Sequence, residues 1–144
     1  MLSGEVAALD AQSGVVVWKK AMFDPGTGYA FSLTPLALDD ALVVGSSGGE
    51  YGARDFIAAL NPADGNVLWK RYTVCGAKEP GGNTWPDCMQ EHGGAPAWLT
   101  GTYDAASKTL YWGVAIPDRG SRTCVGEIIC TPIRCSRSIR RPAT

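Results

Sequence analysis

One stretch of the sequence is written twice, and that limits what the chain can fold into. "VAALDAQSGVVVWKK" (6–20) returns as "IAALNPADGNVLWKR" (57–71), displaced by 51 residues. Gly14 aligns with Gly65 and Trp18 with Trp69. Each copy reads as a strand, a tight turn and a second strand. The turns "DAQSG" and "NPADG" put Asp, Asn, Pro and Gly where a hairpin needs a left-handed residue or a local side-chain hydrogen bond. The tryptophan closes the second strand, placed to pack on the neighbouring unit.

Between the copies, "SLTPLAL" runs through "DD" into "ALVVGSS", and "KTLYWGVA" (108–115) follows the turn "DAAS". About four strands recurring every 50 residues or so is the pattern of a β-propeller blade. We therefore expect an all-β fold, a partial propeller of roughly two blades. The predicted boundary falls near residue 115. Residues 1–114 form the propeller part and 115–144 a separate basic tail.

Charge supports that boundary. Residues 1–114 hold seven Lys/Arg and twelve Asp/Glu, whereas 115–144 hold six Arg and two acids. All Trp and Tyr residues lie before 115. Helical periodicity is weak, and the 18 glycines and 9 prolines favour turns. "MLSGEVAALD" has neither the basic start nor the apolar core of a signal peptide. No run reaches the roughly 18 apolar residues of a membrane span, so we expect none. Five cysteines at irregular spacing are not a zinc pattern. Cys75 and Cys88 flank one loop, as a disulfide pair or as two unrelated thiols. His92, the one histidine, reads as a surface loop residue.

"ALDAQSGVVVW" and "ALNPADGNVLW" resemble the tryptophan-docking repeats of the quinoprotein alcohol and methanol dehydrogenases, which use pyrroloquinoline quinone (PQQ). More specifically, "GSSGGEYGARDFIAAL" (45–60) resembles that family's calcium-binding loop. "NTWP", "GGAPAW" (93–98) and "TYDAASKTLYWG" (102–113) follow in the family's order. The resemblance implies two blades of an eight-bladed propeller with PQQ on its axis. It implies that Glu50 is a calcium ligand, as suits a hard cation that takes oxygen donors. It places Trp98 as the flat floor under the quinone. Ser32 and Ser47 would hydrogen-bond the quinone's edge, and Gly48 and Gly49 would let backbone approach it. Without the resemblance, Glu50 reads as a solvated loop residue and Trp98 as core. Arg54 shares the motif but receives no chemical role.

For the parent, the resemblance implies oxidation of an alcohol by hydride transfer to PQQ, a cytochrome c or other electron acceptor, and a periplasmic location. No residue of this chain is assigned as catalytic. The family pattern asks for an Asn ligand in "GNP" after "YWG" and a catalytic Asp in a later "GDN". Here "YWGVAIP" puts Ile116 at the Asn position, and no "GDN" follows. The chain is therefore expected to be inactive alone. The alternative is a non-catalytic propeller serving as a protein-interaction scaffold.

The tail "TPIRCSRSIRRPAT" (131–144) has four arginines and no aromatic residue. A nucleic-acid arm would want supporting aromatics, so no nucleic-acid partner is expected. Its low aromatic content, Arg and Pro suit a disordered segment. Frameshift explains it best. With one base restored near the Ala115 codon, codons compatible with the tail can spell "NPGSGFPDMRRGDNLYTDSVLALDPATGN". That string returns "GNP", "GDN" and a third "ALDPATG" turn matching the chain's own two.

Overall fold

The computed structural model describes residues 4–84 and 94–115. Trp85, Cys88, His92, Gly93, Ile116 and the basic tail fall outside the described residues, and with them the Cys75–Cys88 pairing.

Eight strands form three antiparallel sheets among the described residues. The first pairs β1 (Glu5–Leu9) with β2 (Val16–Ala21). The second has four strands in sequential order: β3 (Leu36–Ala37), β4 (Leu42–Gly45), β5 (Phe56–Leu60) and β6 (Val67–Tyr72). The third pairs β7 (Thr102–Asp104) with β8 (Thr109–Tyr111). The middle sheet is one whole blade. The β1–β2 hairpin corresponds to β5–β6 of the blade before it, and β7–β8 to β3–β4 of the blade after it. The two expected blades are thus one complete and two half blades, and the strand at 108–115 is shorter than its sequence suggested.

The repeat survives as geometry. Ala8 faces Trp18 and Leu9 faces Val16, with the register shifting between Ala8 and Leu9. Ala59 faces Trp69 and Leu60 faces Val67, with the same shift between Ala59 and Leu60. The turns match as well. Asp10 Oδ1 accepts from Ser13 N at 2.7 Å, and Asn61 Oδ1 accepts from Ala63 N at 3.0 Å. Gly14 and Gly65 close the turns at φ 71° and 72°, in the left-handed region that glycine adopts without strain.

All five residues of β5 are buried. The sequence of β5 is a continuous apolar run because both faces of its sheet are covered, and strand residues alternate between faces. Phe56, Ala58 and Leu60 join Val44 and Val6 on one side, where Trp18 and Phe23 pack. Ile57 and Ala59 join Val43 and Ala97 on the other, where Trp69 and Trp112 pack. Burying Phe56 alone contributes about 2–3 kcal/mol.

Candidate functional site

The segment between β4 and β5 carries most of the residues that the sequence motif picks out. It leaves the sheet at Ser46 and returns at Asp55. At its tip, Gly49–Tyr51 form a single 3-10 turn, entered at Gly48 (φ 134°) and left at Gly52 (φ 77°). Glu50 lies on this turn with its side chain exposed.

Three expected site residues from separate parts of the chain meet beside it. Ser47 pairs with Ala30 through two backbone hydrogen bonds of 2.7 and 2.9 Å, and its Oγ donates to the Ala30 carbonyl at 3.1 Å. Ser32 Oγ lies 3.4 Å from both Ser47 Oγ and the Trp98 carbonyl oxygen, long contacts that leave its hydroxyl free to turn to a stronger partner. Trp98 is 49% exposed. The segment carrying it is tied to the loop's base by Ala97 N donating to the Ser46 carbonyl at 2.9 Å. Two hydroxyl groups and the backbone of a half-exposed tryptophan therefore meet here, on the segment that leads into the Glu50 turn.

Gly48 and Gly49 have a second reason to be glycine. A Cβ on Gly48 would come within 2.1 Å of the Gly28 carbonyl oxygen, and one on Gly49 within 2.7 Å of Gly94 Cα. The chain's own backbone fills the space a side chain would need, whether or not a cofactor lies against these glycines.

Asp55 escapes a reading of the sequence, yet it is fully buried. Ser46 Oγ donates to its Oδ1 at 2.7 Å, while Oδ2 has no hydrogen-bond partner. Burial pushes its carboxyl up to about 6; the Ser46 hydrogen bond opposes the rise, and the Glu50 charge adds to it. The Gly49 amide faces the carboxyl without completing a hydrogen bond to Oδ2, and favours its ionised form. The one signal in the sequence is an acid at the start of an apolar run, which reads more simply as a strand end.

Arg54 is a buttress. Its Nε and Nη2 donate to the Val74 carbonyl at 3.0 and 2.8 Å, and Nη2 pairs with Glu79 at 2.7 Å. The guanidinium lies 4.0 Å from the Tyr72 ring centroid. Tyr29 caps the arrangement, its hydroxyl donating to the Arg54 carbonyl at 2.8 Å.

The donor chemistry fits one group better than another. A flat quinone rich in carbonyl and carboxylate oxygens suits a half-exposed tryptophan and two nearby hydroxyl groups. A resident calcium ion takes six to eight oxygens. Among the described residues no cluster of three or more His, Cys, Asp or Glu could hold a metal. Glu50 supplies one carboxylate and no complete cation site.

No family model matches the chain. Individual proteins do. The quinoprotein alcohol dehydrogenase PedH of Pseudomonas putida is 36% identical over 132 residues, covering 81% of this chain and 22% of PedH. Methanol dehydrogenase [cytochrome c] subunit 1 of Methylorubrum extorquens is 29% identical, covering 81% of this chain and 21% of its own length. Among solved structures, a europium-containing methanol dehydrogenase superposes with a TM-score of 0.74 at 30% identity, covering 81% of this chain and 23% of that one. The chain spans about a fifth of the length of the curated relatives it matches.

Proposed function

We propose a function from one premise: the chain is a relative of the PQQ-dependent alcohol and methanol dehydrogenases, and a partial β-propeller of their kind. On this reading it is the part of a periplasmic alcohol dehydrogenase that supplies one side of a quinone seat. The observation that carries the proposal is the meeting of Ser32, Ser47 and Trp98 beside the Glu50 turn.

When bound, PQQ would supply the two-electron acceptor for an alcohol's hydride, and a calcium ion held in part by Glu50 would polarise a quinone carbonyl. The residues of this chain bind and orient. The Trp98 indole gives a flat apolar support, and Ser32 and Ser47 offer hydroxyl donors at its margin. Gly48 and Gly49, packed against Gly28 and Gly94, keep the backbone of the turn close beside them. Glu50 offers one carboxylate to a cation. No proton acceptor for the alcohol is assigned among these residues. The remaining donors come from further parts of a longer protein, so the 144-residue chain alone is inactive. The electron acceptor we propose is a cytochrome c, by analogy with the name of the Methylorubrum relative.

Ile116, at the position where the family pattern asks for an Asn ligand, is the observation that favours a second reading, a non-catalytic propeller scaffold. Adding PQQ and calcium to the chain and following the quinone's absorbance separates the two. A saturable spectral change supports the quinone seat; an unchanged spectrum supports the scaffold.

A further inference from the structure

We propose that Asp55 is the positioning residue of the 47–50 turn, a role that rests on reading that turn as part of the quinone seat. Ser46 and Asp55 are the two ends of the loop that carries Ser47, Gly48, Gly49 and Glu50. Their side chains join across its base, Ser46 Oγ donating to Asp55 Oδ1 at 2.7 Å. Phe56 N in turn donates to Ser46 Oγ at 2.8 Å. On the other side, Thr73 fixes the Asp55 backbone. Its N and its Oγ1 each donate to the Asp55 carbonyl at 2.9 Å. Asp55 is thereby anchored to the blade while its carboxyl group turns back under the loop.

The carboxyl reaches the turn itself. Asp55 Oδ2 would lie 3.2 Å from a Cβ on Gly49, the residue before Glu50. This oxygen is buried and has no hydrogen-bond partner. Native folds rarely keep such an atom without a reason. The turn has hydrogen bonds of its own: Tyr51 N and Ala53 N donate to the Gly48 carbonyl, and Gly52 N to the Gly49 carbonyl. These fix its internal shape. The Ser46–Asp55 clasp fixes where that shape sits on the blade. A shift of Gly49 carries the Glu50 carboxylate with it, and through Ser47 it alters the spacing to Ser32 and Trp98.

Amide hydrogen exchange on the full 144-residue chain tests this. Asp55→Ala and Ser46→Ala each remove the clasp. In both, the amides of Ala30, Ser47 and Ala97, which tie the loop to its surroundings, should exchange about tenfold faster, while those of β4 and of β5 beyond Phe56 stay within about twofold of the unmodified chain. Asp55→Asn keeps an oxygen for Ser46 and should restore loop protection. Unchanged loop amides would overturn the role, as would equal acceleration of loop and sheet in a folded variant, or an Asn variant that behaves like the Ala one. If Asp55→Ala does not fold, Ser46→Ala decides by the same criteria. PQQ with calcium then tests the underlying reading separately. If the unmodified chain gives no spectral response, the seat is wrong while the clasp stands. A response in Asp55→Ala equal to that of the unmodified chain overturns the positioning role.

Discussion

The indole N–H of Trp18 donates to the carbonyl of Pro62 at 2.8 Å, across 44 residues of sequence. Its ring lies where a side chain on Gly65 would be, 2.6 Å from the nearest ring carbon. One repeat thus docks its tryptophan on the turn of the next, and the glycine of that turn is shaped by the neighbour as well as by its own backbone.

This separates two glycines that look alike in sequence. Gly14 and Gly65 share nearly the same φ, but nothing lies within 4 Å of a Cβ on Gly14. Gly14→Ala should cost about 1–2 kcal/mol, the penalty for a left-handed alanine. Gly65→Ala should cost at least about 1 kcal/mol more, because Trp18 must move aside. Urea denaturation of both variants measures the difference. Equal losses would mean that the docking adds nothing.

Asp55 gives the chain a pH dependence. Its carboxyl has an ordinary value of 3.8 and sits at about 6 in the fold, chiefly through burial. The folded state therefore holds this proton more tightly than the unfolded state does. Its contribution is fully present below about pH 4, is lost as pH rises towards about 6, and is level above that. The loss is at most about 3 kcal/mol. Asp10 and Asp104 are held low by the hydroxyl groups of Ser13 and Ser107, so their effect lies below this window and has the opposite sign. Thermal melts from about pH 4 to 7 should show stability falling, and Asp55→Asn should flatten the curve. A slope unchanged by that substitution would contradict the assignment.

Calcium should bind this chain weakly, with a Kd on the order of millimolar, and through Glu50. One exposed carboxylate with backbone oxygens falls short of a full coordination shell. Calorimetry checks this. Tight binding, or binding that survives Glu50→Ala, would place the cation elsewhere.

The architecture was legible because its cues are local and periodic. Two copies of a strand–turn–strand unit, with Gly and Trp at matching positions, reappear as two hairpins with the same register shift. The boundaries were less legible. β3 covers two residues although its partner β4 covers four, and β8 covers three, extents that propensity does not encode. In the site, Ser32, Ser47 and Trp98 were named only through the family resemblance, since their meeting depends on contacts spanning 15 to 66 residues. Asp55 escaped notice because its character comes from burial. An acid before "FIAAL" carries no sign that its side chain folds back under a loop.

The basic tail yields to a genetic test. Restoring one base near the Ala115 codon should convert Ile116→Asn and Ile128→Asp together, adding an oxygen ligand and a proton acceptor. Resequencing the locus decides it. If the frame encoding the tail through Thr144 is verified, and the alternative frame encodes none of these motifs, the frameshift explanation fails.

The central claim is that Trp98, Ser32 and Ser47 seat a quinone, and titrating PQQ into the chain with calcium present, following tryptophan fluorescence, tests it most directly. Saturable quenching is expected in the unmodified chain. Trp98→Ala should weaken affinity about tenfold or more, with Trp98→Phe in between, because stacking on an aromatic surface contributes about 1–3 kcal/mol. The Ser32→Ala, Ser47→Ala double variant should weaken binding by a similar factor. Quenching of equal affinity in all four proteins would show that the quinone binds elsewhere and would contradict the claim.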